Sequence, residues 1–512
     1  MDVRVKQGRI EQEPVEVLVL SHYEDGSALT EEASAVNRAL HGALDDLLKS
    51  GEFQGKCHQT ALLHTQGNLP AKRVLLVGLG KQKEARLDTV RQAMGTAIKR
   101  VRQIGARSFA TPLHGRTVHD SAMELAQAMT EGAILGGYRF TVYRSHNHDE
   151  PNDIERMTVL QPKADAVTAV KEGVRRGVAG AEAAMFVRDL CNHPSNVMTP
   201  SRIADEAKKI GREPGIHVKI LEQRDVAKLG MGAFLGVARG SHEPPKFIIV
   251  EYRGRSGNLR SNGRGRQPLV LVGKTITFDT GGISLKSAEN MEQMKADMTG
   301  GAEVLAAIRA ASRLRLPLHI IGLLPATENM PGGGAIKPGD ILTTMSGQTV
   351  EVQNTDAEGR LILADGLHYA TRYKPAAIID IATLTGACMV ALGQFAVGML
   401  GNNEDLKRRV QQAGLKAGER VWEMPLWDEY FEQLRSDVAD MRNIGGRGGG
   451  MITAAVFLSK FVGDCPWVHL DIASTDWSER ERAYISKGPT GIGTRLLIQF
   501  LIDHAENPRS WS

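Results

Sequence analysis

The chain has 512 residues, too long for one ordinary core, so two domains are expected, one of them large. A hydrophobic content of 42% and a charged content of 24% are those of a globular protein, and a formal net charge of +4 is too small for a nucleic-acid-binding body, although it leaves room for a local basic patch. Cys57, Cys191, Cys388 and Cys465 form no C-x-x-C pair and read as buried thiols in a reducing compartment, which fits a cytoplasmic location.

The first residues carry no apolar core of a secretory signal. Residues 15–20 read as a strand. Residues 30–50 have helical periodicity, with Leu40, Leu44, Leu47 and Leu48 on one side. Residues 73–77 form a second buried strand and 87–103 a helix, an α/β pattern. Gly78-Leu79-Gly80 follows a strand as a dinucleotide fingerprint would, but the third glycine position falls on Lys83, so it reads as a plain turn. Residues 1–163 thus form an N-terminal α/β domain without a catalytic constellation. Residues 164–190 read as a helical linker, and 191–512 as a larger α/β domain whose mixed central sheet is flanked by helices. Thr199-Pro200 marks the N-cap and first turn of a helix over 201–211.

Residues 253–266 are rich in arginine and glycine and read as a surface loop between two strands. Residues 269–272 are an unbroken apolar strand, with Lys274 and Asp279 at its exit. Gly281-Gly282 lets the backbone approach a ligand closely, and Lys286 follows. Asp297 sits between Met294 and Met298, an odd place for a lone exposed carboxylate. Further on, Asp356, Glu358 and Arg360 alternate in a stretch read as extended, so that their side chains share one side. The plain alternative is a surface turn with a local Asp–Arg pair. Two acidic clusters of matching chemistry weigh against it. Asp279, Asp297, Asp356 and Glu358 supply enough hard oxygen for two divalent ions about 3.5–4 Å apart with shared ligands. Lys274, Lys286 and Arg360 supply positive charge for a developing oxyanion. Residues 375–400 are long and apolar, but Asp380, Gln394 and several glycines and threonines interrupt them. A buried strand, a tight turn and a second buried segment are expected, and no membrane span.

At Asn354-Thr355-Asp356-Ala357-Glu358-Gly359-Arg360-Leu361 the sequence resembles the leucyl aminopeptidases, or cytosol aminopeptidases, a family of two-metal exopeptidases. Pro325-Ala326-Thr327-Glu328-Asn329-Met330-Pro331, Lys337-Pro338-Gly339-Asp340, Asp380-Ile381-Ala382-Thr383-Leu384-Thr385-Gly386-Ala387 and Asp437-Val438-Ala439-Asp440 extend the likeness, which is strong over 185–500. The resemblance implies removal of leucine and other apolar N-terminal residues from peptides that have a free N-terminus. It places Lys274, Asp279, Asp297 and Glu358 around one ion and Asp279, Asp356 and Glu358 around a second, either Mn²⁺ or Zn²⁺. Lys286 would polarise the scissile carbonyl, Arg360 would hold a bicarbonate that serves as base, and Met294, Thr383 and Gly386 would line the pocket for the N-terminal side chain. It also implies a homohexamer. Thr275, Thr280 and Thr299 stand where the family often has other small residues, which bears on substrate preference rather than on chemistry.

Rival readings fare worse. Gly273-Lys274-Thr275 ends like a phosphate-binding loop, but the first glycine of that motif would fall on Pro268. There is no H-E-x-x-H and no G-x-S-x-G. DNA binding, which the resemblance admits for some bacterial members, has only the basic run 253–266 as a local hint. An inactive structural homologue is disfavoured by the intact set of seven polar residues.

Overall fold

A computed structural model describes residues 1–26, 28–117, 119–145, 153–254 and 267–508. Most of the arginine- and glycine-rich run, from residue 255 to 266, lies outside the described residues. The chain divides into two compact units, Met1–Met185 with Glu479–Lys487, and Phe186–Ser478 with Gly488–Ser512.

The first unit is built on β1 (Asp2–Gln7), β2 (Val17–His22), α1 (Glu31–Ala39), α2 (Ala43–Lys49), β3 (Thr60–His64), β4 (Arg73–Gly78), α3 (Leu87–Gln103), β5 (Ser108–Pro112), α4 (Ala122–Gly136) and β6 (Arg156–Gln161). The six strands run in the order β1-β6-β5-β2-β4-β3. All neighbours are parallel except β3 and β4. Leu18 and Leu20 face a core with α1 and α2, while Val17 and Val19 face one with α3 and α4, so both faces of the sheet are covered and its central strands β2 and β4 are largely apolar. The single helix expected over 30–50 is two. His41 and Gly42 have φ of 56° and 90°, and the Asn37 side chain accepts from Leu44 N at 3.0 Å, capping a fresh helix. Cys57 is exposed, against the expectation of a buried thiol.

α5 (Val167–Asn192) carries the chain from one unit to the other. The second unit then continues through α6 (Pro200–Ile210), β7 (Ile216–Leu221), α7 (Gln223–Lys228), α8 (Gly232–Ala238), β8 (Lys246–Arg253), β9 (Leu269–Gly273), β10 (Thr275–Asp279), α9 (Thr299–Arg313) and β11 (His319–Asn329). Next come β12 (Ile341–Thr343), β13 (Thr349–Glu351), α10 (Glu358–Thr371), β14 (Ala377–Ala382), α11 (Gly386–Leu392), β15 (Val397–Gly401), α12 (Glu404–Ala417) and β16 (Val421–Glu423). The unit ends with β17 (Met441–Arg442), α13 (Gly450–Ser459), β18 (Trp467–Asp471), β19 (Trp477–Ser478), β20 (Gly488–Pro489) and α14 (Thr494–Glu506).

Its main sheet runs β16-β15-β18-β14-β9-β11-β8-β7, with β10 paired to β11. β9, β11, β14 and β18 are mutually parallel and β8 and β15 run against them, so the sheet is mixed. α8, α10 and α13 share one core on this sheet, whereas α9 packs against α14, β9 and β14. Thr199 caps α6, its side chain accepting from Arg202 N. Residues 377–401 hold the expected buried strand and second buried segment, but a short helix stands where a tight turn was expected. Thr385 caps that helix by accepting from Cys388 N at 3.1 Å. Among the described residues no helix is long and apolar enough to cross a membrane.

Candidate functional site

The site lies where the parallel strands β9 and β14 end. Gly273, the last residue of β9, pairs with Ile381, and Lys274 and Thr383 follow at the two exits. Lys274 is buried and its Nζ meets Asp297 Oδ1 at 2.7 Å, Thr383 O at 2.9 Å and Glu358 Oε1 at 2.8 Å. Asp297 closes the short turn Met291–Ala296 and precedes α9, and Thr383 Oγ1 donates to its Oδ1 at 2.7 Å. Asp279 ends β10. Its Oδ1 accepts from Gly281 N at 2.9 Å and from Asn329 Nδ2 at 2.8 Å, and its Oδ2 lies 2.8 Å from Lys286 Nζ. The same ammonium contacts Asp356 Oδ1.

The stretch holding Asp356, Glu358 and Arg360 is not extended. Asp356 is in a turn, and Glu358 opens α10. The apolar run at 361–364 lies in the first turns of this helix, which is buried almost all round. The carboxylates therefore converge through a helix start, not through strand alternation. Glu358 also gains from the positive end of the helix. Gly359 is explained by space. A Cβ there would lie 2.6 Å from Lys274 Cε and 2.9 Å from its Nζ, so any side chain would expel the lysine. Gly281, with φ of 85°, turns the chain back so that its own N–H reaches Asp279.

The result is a knot of charge in low dielectric. One oxygen each of Asp279, Asp356 and Glu358 lie within 4.8 Å of one another. Asp297 Oδ2 and Glu358 Oε2 are buried and have no hydrogen-bond partner among the described residues. Glu358 Oε1 and Asp356 Oδ1 face lysine ammoniums as ion pairs without hydrogen-bond alignment. Burial, reinforced by the neighbouring carboxylates, pushes Asp297, Glu358 and Asp356 above the usual carboxylate range, against the pull of the lysines. Burial alone would lower Lys274 and Lys286, but the surrounding carboxylates carry both above their ordinary values. Four carboxylates against two ammoniums leave a deficit of positive charge, and the orphaned oxygens point into it. Hard oxygen donors at this spacing suit divalent cations.

Arg360 is buried two residues into α10. Its Nη1 donates to Asn443 O at 2.9 Å and its Nε has no partner. Burial lowers it to about 10, opposed by Glu358 and Asp471. Met294 is half-buried in the turn leading to Asp297, and Gly386, at the start of α11, has open space where a Cβ would be.

Two asparagines gave no signal as sites. Asn329, at the end of β11, donates from one amide to both Asp279 Oδ1 and Thr355 O, the latter at 3.0 Å, and so ties two ligand-bearing segments together. Asn443 donates to Asn354 O at 2.7 Å and accepts from Gln353 N at 2.8 Å, bracing the approach to Asp356. A buried asparagine beside an acidic cluster is the only hint the sequence offers. Thr275, Thr280 and Thr299 each turn their hydroxyl to a nearby backbone carbonyl, at 2.8, 2.8 and 2.5 Å, and away from the charges.

Residues 185–498 match the catalytic domain of the cytosol aminopeptidase family, and residues 17–147 match its N-terminal domain. A probable cytosol aminopeptidase of Geotalea uraniireducens is 48% identical over 467 residues, covering 91% of this chain and 92% of the relative. One from Nitrosococcus oceani is 42% identical over the full length of both chains. Among solved structures, a tomato leucine aminopeptidase mutant aligns with a TM-score of 0.85 at 32% identity, covering 98% of this chain and 96% of its own. The bottromycin maturation enzyme BotP in complex with Mn aligns with a TM-score of 0.83 at 33% identity, covering 96% and 100%.

Proposed function

The chain belongs to the cytosol aminopeptidase family and is a metal-dependent aminopeptidase, and from that premise we propose how its residues divide the work. Lys274, Asp279, Asp297 and Glu358 surround one divalent ion, and Asp279, Asp356 and Glu358 hold a second. The observation that carries this reading is the convergence of carboxylate oxygens within 4.8 Å, next to buried oxygens that nothing else satisfies. Mn²⁺ fits the oxygen-rich set best, with Zn²⁺ the alternative. Two such ions, when bound, supply a water acidified enough to attack a peptide carbonyl.

The chain's own groups do the rest. Asp297, buried beside Lys274, helps receive the substrate's free α-amine, which is why an N-terminus is required. Lys286 is partly exposed, and turned from Asp279 and Asp356 towards the scissile carbonyl its charge would stabilise the oxyanion. Arg360, whose Nε has no hydrogen-bond partner among the described residues, would hold a small planar anion such as bicarbonate, which would supply a base for the attacking water. Met294, Thr383 and Gly386 shape an apolar pocket that favours leucine and similar residues. The space open at Gly386 supports this. The protein works in the cytoplasm, as the naming of its relatives suggests, and assembles as a homohexamer. Exposed Met389, Val390 and Phe395 offer an apolar surface for that assembly, and light scattering should then give six times the 55.6 kDa chain mass.

The test is release of chromophore from leucine anilide at mildly alkaline pH with Mn²⁺. Release should stop with a chelator, in Glu358→Gln, and when the substrate is N-acetylated. No release from folded, metal-loaded protein would overturn the assignment of roles.

A further inference from the structure

The first unit has a cavity of its own, about 280 Å³, far in sequence from the metal ligands. It opens where β2 and β5 end side by side. From β2 the chain leaves through α1 and α2 to β3 and β4 on one flank. From β5 it leaves through α4 to β6 on the other flank. Adjacent parallel strands whose connections leave on opposite faces open a crevice at their carboxyl ends, the general place for a ligand in an open α/β sheet.

The cavity walls carry unused polar groups. His22 is only 7% exposed, lines the cavity, and its ring makes no hydrogen bond among the described residues. Burial lowers it, opposed by Asp25, so the ring is neutral. The Tyr23 hydroxyl accepts from Thr117 Oγ1 at 3.3 Å, which leaves its own proton to give. Arg116, exposed at the cavity rim, donates through Nη2 to Gln161 Oε1 at 3.1 Å, and its other donors have no protein partner among the described residues. Glu31 and Glu32, in the first turn of α1, form no ion pair among the described residues.

We propose that this cavity binds a free α-amino acid, the zwitterion that the reaction releases. The size is just below the roughly 300–1,000 Å³ of pockets for larger ligands, which suits a single amino acid and excludes a dinucleotide. Arg116 presents a planar fork to a carboxylate, and Glu31 and Glu32 receive an ammonium. A phosphate ester would meet two carboxylates, and a simple amine would leave Arg116 unmatched. His22 and Tyr23 give the ligand its remaining hydrogen bonds. Only the identity of the ligand as reaction product rests on the aminopeptidase reading, since the cavity and its charges stand without it.

Calorimetric titration of the full-length, metal-loaded protein with L-leucine tests the proposal. The expected stoichiometry is two molecules per chain, one at the metal centre and one in the cavity. Arg116→Ala and Glu32→Ala should each weaken one of the two at least tenfold and leave kcat on leucine anilide unchanged. Glu358→Gln should spare that same molecule while abolishing hydrolysis, which separates failure here from failure of the catalytic reading. A single bound leucine, or a second one indifferent to both cavity variants, would overturn the assignment. Displacement of the second leucine by adenosine monophosphate would do so as well.

Discussion

Two groups of buried carboxylates in the second unit differ in geometry, and among the described residues one of them brings its oxygens together. At the metal centre, Asp279, Asp356 and Glu358 aim oxygens at one point, Lys274 and Lys286 interleave them, and the side chains of Asp356 and Lys286 are 34% and 24% exposed. The other group lies along α9. Glu303 there is wholly buried, with neither oxygen partnered among the described residues, and pressed so close to Gly493 that a Cβ would lie 2.7 Å from each. Its neighbour Glu419 is already satisfied by Arg495 at 3.1 Å and by the N–H groups of Gly493 and Leu496 at 2.9 and 2.8 Å. Burial raises carboxyls in both groups, and takes Asp476, beside Glu303, to about 7. A displaced carboxyl therefore does not by itself mark a site. Convergence of oxygens, counter-charges set among them, and an open side do.

Substitutions that break convergence should have the largest effects. Asp279→Asn removes a ligand oxygen that both ions would share. Bound metal, measured by elemental analysis, should fall, and kcat/KM on leucine anilide should drop by about 10³-fold, since several kcal/mol are lost at about 1.4 kcal/mol per decade. Full metal content with normal turnover would mean that Asp279 serves only to hold Lys286. Lys286→Met should keep the metal and lower kcat by about 10²–10³-fold with little change in KM, the pattern of a group that acts on the oxyanion. A change confined to KM would assign Lys286 to substrate binding instead.

Asn329→Ala sharpens the contrast at a smaller scale. It leaves every charge in place but frees Asp279 from Thr355, so metal affinity should weaken by about 10–100-fold, while turnover at saturating Mn²⁺ recovers. If excess metal fails to restore turnover, Asn329 touches the substrate itself.

These residues were unevenly legible in the sequence. Asp279, Asp297, Asp356, Glu358 and the two lysines stand out because charged residues among glycines and apolar runs have few structural uses. The path of the backbone through them did not stand out. Four apolar residues after Arg360 fit a buried strand as well as an all-round buried helix, and only the packing of α10 against α8 and α13 decides. Asn329 and Asn443 act through partners 50 and 89 residues away, which no local pattern announces. The cavity of the first unit depends on strand order, and period and propensity do not reveal which strands lie side by side.

Glu303 is the carboxyl with burial but no convergence. Its folded-state value lies well above 4.5, because burial disfavours the charge and Glu419 and Asp476 add to the penalty. At acid pH both folded and unfolded chains hold the proton and Glu303 contributes no pH dependence. As pH rises past the unfolded value, the unfolded chain releases its proton first, so stability falls. Glu303→Gln keeps the shape and removes the charge. Urea unfolding should show the variant more stable than the parent by about 1–3 kcal/mol around neutral pH, with the gap closing towards acid. kcat on leucine anilide should stay within a factor of about 2, as expected for a change on a buried helix face away from the converging oxygens. A gap that widens towards acid pH would mean that Glu303 is ionised in the folded protein and held by a cation, and the contrast between the two carboxylate groups would then fail.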